Sequence, residues 1–378
     1  MSDRTCADLR VEYLPAPIGV GTPHPRFSWR APHAAIAYRL QVRTGGVIVW
    51  DTGRTETAPS TVVEYRGTPL TSNTAYEWQI SSWDASGDRI NGFSTFETGL
   101  LNSDDWVASW VAPVQEPTVT ERWTLLDWIV GKSPEKSLEA RLQPAQLLRQ
   151  SFHLSDVPIR ARLYATARGV YSATVNGLPA DDQVLAPGFD SYMHRISVQC
   201  YDVTSLLVAG ENVLGFALAD GWWAGRLGIS GSSAQFGDTI SAIWELHLDL
   251  PDGGHRVVPS GEDVLSTPGP WRYADLFIGE CFDAAAWPTA WDQPAFVPTD
   301  WTPVLDQGRD THVLVPFTGE PIRRVDELAP VSVQATADGW LVDFGQVIAG
   351  RVRLEMFNTV PGQRVVLEHT EVVDADGN

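Results

Sequence analysis

ARLYATARGVYSATVNGLPADDQVLAPGFDSYMHRISVQCYDVTSLLVAGENVLGFALADGWWAGRLG runs from Ala161 to Gly228, and its punctuation decides the fold. Short apolar alternations are cut at close spacing by Asn176-Gly177, Pro187-Gly188, Gly210-Glu211-Asn212 and Asp220-Gly221. Period-two alternation between turn residues is the mark of antiparallel strands. Asn176-Gly177 is the strongest hairpin signal, because a type I′ turn needs positive φ at both central residues. Asp202–Leu207 (DVTSLL) predicts a short helical turn capped by Asp202 or Thr204. At Gly221-Trp222-Trp223-Ala224-Gly225-Arg226, two indoles and a cation share one turn between glycines. Such a platform can stack on a sugar or form a docking face for another domain. Paired exposed aromatics mark interfaces more often, so docking is the favoured reading for Trp222, Trp223 and Arg226.

The same rhythm extends both ways. Downstream, Ile240–Leu250 (ISAIWELHLDL) places Ile243, Glu245, His247 and Asp249 on one strand face and Ala242, Trp244, Leu246 and Leu248 on the other. Pro251-Asp252-Gly253-Gly254 then turns into another strand. Residues 151–315 therefore predict a jelly-roll-like sandwich. Upstream, Leu9–Tyr13, Pro23–Arg30, Ala37–Val42, Val47–Asp51 after Gly45-Gly46, Tyr76–Trp83 and Phe93–Thr98 are short strands. They predict a fibronectin type III or immunoglobulin-like sandwich over residues 1–98. Residues 99–150 form a connecting segment. Its Leu125, Leu126, Trp128, Ile129 and Val130 are too apolar for a free linker and predict a short helix or a packed crossing loop. Residues 316–378 begin a third sandwich, with strands at Val331–Thr336, Trp340–Phe344, Gly350–Phe357 and Arg364–Glu371. The chain stops on Asp376-Gly377-Asn378, a hairpin turn without its return strand, so this reading expects a chain cut short.

Composition narrows the function. The net charge of −20 opposes attraction to nucleic acid or anionic membrane. No run of 18 apolar residues and no secretory h-region are present, which makes a cytoplasmic protein the default. Cys6, Cys200 and Cys281 are too few and too far apart for a disulfide framework or zinc site. The sequence leaves homo-oligomerisation open. Sixteen tryptophans suit β-sandwich cores, and Trp29, Trp50 and Trp78 read as core or strand-pairing residues.

No GxSxG, HExxH, P-loop or GxGxxG occurs. His369 and Glu371 read as surface neighbours on one strand face. Asp181, Asp182 and Asp220 read as turn carboxylates, and Glu280 and Asp283 as loop hydrogen-bonding groups. No dedicated calcium loop exists. The expectation is no catalytic residue, no metal site and no cofactor.

Several stretches resemble the N-terminal, non-catalytic part of bacterial α-L-rhamnosidases, which are inverting glycoside hydrolases. LRVEYLPAPIGVGTPHPRFSW (9–29), WDTGR (50–54), YEWQISSWDASG (76–87) and FETGLL (96–101) are similar to the family's fibronectin-type leader. Residues 161–177, LAPGFDSYMHR (185–195), YDVTSLLVAGENVLG (201–215) and DGWWAGRLG (220–228) are similar to its jelly roll. DFGQVIAGRVRLE (343–355) with PGQRVVLEHTEVVDADG (361–377) is similar to the sandwich before the catalytic domain. The resemblance implies removal of terminal α-L-rhamnose from glycosides by two carboxylic acids of a downstream (α/α)6 barrel. That barrel is absent from these 378 residues, so the fragment is expected to be inactive by itself. A different reading is a free-standing carbohydrate-binding protein that uses Trp222, Trp223 and Arg226.

Overall fold

The alternation of Tyr76–Trp83 becomes the central strand of a first sandwich. The structure, a computed structural model, describes residues 5–372 apart from 33, 58, 133–135, 229–230, 337–338 and the Trp128 side chain. The first sandwich comprises β1 (Ala7–Val11), β2 (Arg26–Arg30), β3 (Ala35–Thr44), β4 (Val47–Asp51), β5 (Val63–Glu64), β6 (Ala75–Asp84) and β7 (Arg89–Glu97). One sheet has the order β1-β2-β5, the other β4-β3-β6-β7. Every second residue of β6 points inward, so Tyr76, Trp78 and Ile80 are buried with Phe27, Leu40, Val42 and Phe96. Trp29 is in this core, and Trp50 packs against it.

A second sandwich follows. Its larger sheet runs β21 (Leu305–Asp306), β8 (Val111–Ala112), β15 (Ser241–Asp249), β10 (Arg160–Arg168), β13 (Ile196–Asp202) and β22 (Leu314–Pro316), with β16 (His255–Pro259) also paired to β15. The facing sheet runs β12 (Leu178–Pro179), β11 (Val170–Val175), β14 (Gly210–Ala219), β9 (Gln146–Leu154), β17 (Leu265–Pro268) and β20 (Thr302–Pro303). Strands β18 (Trp271–Asp275) and β19 (Gly279–Phe282) form a separate hairpin. Asn176 and Gly177 turn β11 into β12 at φ +53° and +84°, the positive values that an Asn-Gly turn supplies. Asp202 Oδ1 accepts from the Thr204 amide and hydroxyl at the expected helical turn.

The two sheets enclose Leu163, Leu214, Phe216, Leu246 and Leu248, with Phe216 and Trp244 stacked at 4.2 Å. The Trp244 indole N–H donates to Gln150 Oε1 at 2.7 Å, which satisfies a buried donor. Strand β15 splits its faces as its sequence predicts, yet both are buried. Ala242, Trp244, Leu246 and Leu248 enter this core, while Ile243, Glu245 and His247 are covered from the other side.

Segment 99–150 contributes to the second sandwich directly. Val111–Ala112 and the start of Gln146–Leu154 are sheet strands, and Trp106 and Trp110 are buried. Of the two expected forms, the short helix is the one present, as α1 (Leu125–Ile129). Leu125, Leu126, Ile129 and Val130 are each more than 60% exposed. Helix formation here is local, with Asp127 accepting from the Thr124 amide and hydroxyl.

Residues 324–378 form a separate unit. Within it, β23 (Ser332–Ala335) pairs antiparallel with β24 (Trp340–Asp343). The strands expected at 350–357 and 364–371 are not formed, and those residues are exposed. Alternation alone does not make a strand: the backbone needs a partner ladder, and none lies beside these segments among the described residues. The terminal Asp376-Gly377 turn lies outside the described residues.

Candidate functional site

The GWWAGR motif is not an open turn but a single helical turn, α2 (Gly221–Ala224), after β14. Gly221 sits at φ +53°, and a Cβ there would lie 2.6 Å from the Val170 amide nitrogen and 2.7 Å from the Gly169 carbonyl carbon. Both are backbone atoms that cannot yield. Gly221→Ala is therefore expected to cost about 1–3 kcal/mol, read as a lowered urea midpoint; an unchanged midpoint would show that the turn can re-form differently.

Consecutive residues on a helix project about 100° apart, so the two indoles cannot share one face. The Trp223 indole N–H donates to the Thr239 carbonyl at 3.0 Å, and its ring meets Tyr192 edge-on at 5.6 Å. The Arg168 guanidinium lies 4.3 Å from the Trp110 ring centre and 5.5 Å from that of Trp223. Trp223 is thus a packing residue whose ring is already occupied. Trp222 is half-buried and lies 6.3 Å from Phe189, which is 61% exposed. Of the two indoles, Trp222 is the one beside an exposed aromatic.

Arg226 is not available to a sugar. Its side chain is 2% exposed and bonds Glu121 Oε2 at 2.7 Å and Asp275 Oδ2 at 3.3 Å. The Arg226 amide also donates to Asp275 Oδ2, and Arg141 holds the other Glu121 oxygen at 2.7 Å. Asp275 Oδ1 accepts from the Phe277 and Ile278 amides. This cluster ties segment 99–150 and the β18–β19 hairpin to α2. Burial alone would raise Glu121, but hydrogen bonds from Arg141 and Arg226 outweigh it and hold the carboxyl below its ordinary value. Asp220, 4% exposed, goes the other way. Burial pushes it up to about 7, with Asp275 adding repulsion, against the Thr118 hydroxyl bond and the attraction of Arg226. A carboxyl poised near neutrality suits acid–base chemistry, but this one is buried beside Thr118, Asp275 and Arg226.

A second polar network joins the two sandwiches. Glu97, at the end of β7, accepts from Arg160 Nη2 at 2.8 Å and from Arg162 Nε and Nη2 at 2.7 and 2.6 Å. Asn73 Oδ1 accepts from Arg160 and from the Tyr164 hydroxyl, each at 2.9 Å. Glu245 Oε1 takes the Val107 and Ala108 amides. Sequence reading did not single out these residues. The available signal was the row Arg160, Arg162, Tyr164, Thr166 and Arg168 on one face of a strand whose other face is apolar, which calls for a polar counterpart. Among the described residues, no group of three or more His, Cys, Asp or Glu is placed to hold a metal ion.

Residues 6–102 match the Rha78A-like N-terminal immunoglobulin domain, 156–326 the alpha-L-rhamnosidase N-terminal domain, and 333–378 the bacterial alpha-L-rhamnosidase concanavalin-like domain. This chain belongs to the α-L-rhamnosidase family, as its N-terminal portion. Alpha-L-rhamnosidases of Formosa agariphila and Alteromonas sp. are 28% and 29% identical to it, over 96% and 94% of this chain. The chain spans 39% of the length of either relative. The solved Aspergillus terreus α-L-rhamnosidase superposes with a TM-score of 0.78 at 28% identity, covering 90% of this chain and 38% of that one. The Streptomyces avermitilis α-L-rhamnosidase, solved with L-rhamnose, shares the fold with a TM-score of 0.76 at 24% identity, over 90% of this chain and 49% of its own.

For the rhamnosidase N-terminal portion, the site geometry separates what one sequence motif had joined. Arg226 is buried, both indoles are half-buried, and of the two Trp222 lies beside the exposed Phe189 while Trp223 is engaged by Tyr192, Arg168 and Thr239.

Proposed function

We propose that this chain is the accessory β scaffold of a longer α-L-rhamnosidase, which hydrolyses terminal α-L-rhamnose from glycosides, and that the scaffold alone does not perform the reaction. One observation carries the reading: the carboxylates in the GWWAGR region are committed to internal ion pairs or enclosed by protein. Inverting hydrolysis needs two carboxyl groups facing each other across a substrate and a water, about 6.5–9.5 Å apart. The match to relatives over a minor share of their length supports an accessory role.

Within this reading Trp222 and Phe189 form part of a face on which further portions of the enzyme pack. Trp223 and Arg226 stabilise that face from behind. A free sugar site is the lesser reading, since the cation it required is buried.

Purified 1–378 is expected to release no nitrophenol from p-nitrophenyl α-L-rhamnoside, whereas the chain joined to the remaining length of a relative is expected to do so. Turnover by 1–378 alone would overturn the accessory reading. Tryptophan fluorescence is expected to stay unchanged on titration with L-rhamnose, and a saturable change would instead favour the sugar-binding reading.

A further inference from the structure

On the covered face of β15 and its neighbour β16, four side chains form a chain of contacts that ends at solvent. His247 Nε2 lies 2.8 Å from Glu245 Oε2, His247 Nδ1 lies 3.2 Å from His255 Nε2, and His255 Nδ1 lies 2.9 Å from Asp249 Oδ1. The first imidazole is buried and the second is 44% exposed. Asn73 of the first sandwich closes the group, its Nδ2 3.3 Å from His247 Nδ1.

Proton positions follow from the partners. Arg160 and the Tyr164 hydroxyl both donate to Asn73 Oδ1, so the Asn73 amide turns its NH2 toward His247. His247 Nδ1 is therefore an acceptor, and the single ring proton sits on Nε2, where it donates to Glu245. His255 Nε2 must then donate to His247 Nδ1, since two bare nitrogens 3.2 Å apart would repel. Its Nδ1 must donate too, because it faces the carboxylate of Asp249, which is held ionised. Burial would raise Asp249, but hydrogen bonds from His255 and Arg160 outweigh it and keep it low.

We infer that His255 is held as an imidazolium and His247 as the neutral Nε2–H tautomer, so that one titratable proton completes the hydrogen-bonded joint between the first and second sandwiches. Among the described residues, the charged groups around it are Glu245 and Asp249 on β15, Arg160 and, directly opposite His247, Arg162 on β10, and Glu97 on β7. When the proton leaves His255, one contact in the chain must break, either to Asp249 or to His247. The assignment stands independently of whether the accessory reading above holds.

Long-range 1H–15N NMR of the wild-type chain at about pH 6.5 reads both rings directly. The expected spectrum has both His255 nitrogens protonated and His247 protonated at Nε2 alone. A neutral His255, or a proton on His247 Nδ1, would overturn the inference. His255→Gln retains a donor toward His247 and removes the second N–H. Wild type is expected to melt above this variant by roughly 2 °C at about pH 6. The contribution of Asp220, common to both proteins, cancels in the difference. A variant that melts together with the wild type would also overturn it.

Discussion

Glu97→Ala is expected to lower the unfolding free energy of the two-sandwich unit by about 3–5 kcal/mol, the cost of stranding buried charges without their partner. Glu97 is 14% exposed and serves Arg160 and Arg162, whose side chains are 16% and 7% exposed. Removing it leaves two guanidinium groups side by side on β10, with Asp249 and Asp202 as their remaining carboxylates. Burial alone would raise the Glu97 carboxyl, but bonds from Arg162 and Arg160 outweigh it and hold it below 4.5. That contribution is full above about pH 4.5 and is lost as the pH falls through the lower folded value. Urea unfolding at pH 7 checks the magnitude, and because the pairs are sheltered the loss should persist at high salt. A change under about 1 kcal/mol would mean that the joint relaxes around the missing carboxylate and behaves like a surface ion pair.

Asp220→Asn is expected to stabilise the protein in alkali and not in acid. Folding raises Asp220 from an ordinary 3.8 to about 7. Between those values the native state keeps a proton that the unfolded chain has released, so stability falls as the pH rises through that window. The full rise corresponds to about 4 kcal/mol, which bounds the gain. Asparagine keeps the shape, can accept from the Thr118 hydroxyl and carries no charge to desolvate. The variant should therefore exceed wild type by up to about 4 kcal/mol at pH 8 and match it near pH 4. Thermal melts across this range decide the matter; a constant difference would show that Asp220 does not titrate in the native state.

The two substitutions mark where sequence reading worked and where it stopped. Local chemistry was legible. Asn176-Gly177 turns β11 into β12 because only certain residues tolerate its backbone, and that constraint is written in the residues themselves. The alternation of Ser241–Asp249 divides its side chains into two sets because successive side chains of any strand point opposite ways. The order of motifs along the chain likewise carried its family.

Destinations were not legible. The polar set of β15 looks like a solvated face until Asn73 and Val107–Ala108, more than a hundred residues away, close over it. Trp222, Trp223 and Arg226 look like one platform until a helical turn separates the indoles and Glu121 and Asp275 enclose the cation. Gly350–Phe357 alternates as β10 does, but strand formation needs a neighbour, which no window of sequence contains. By itself, the sequence determined that this is an all-β chain of the rhamnosidase N-terminal type, because turn chemistry and side-chain alternation act over a few residues. Only the tertiary structure decided which polar groups are joints and which lie at the surface, because desolvation and ion pairing depend on what the rest of the chain brings alongside.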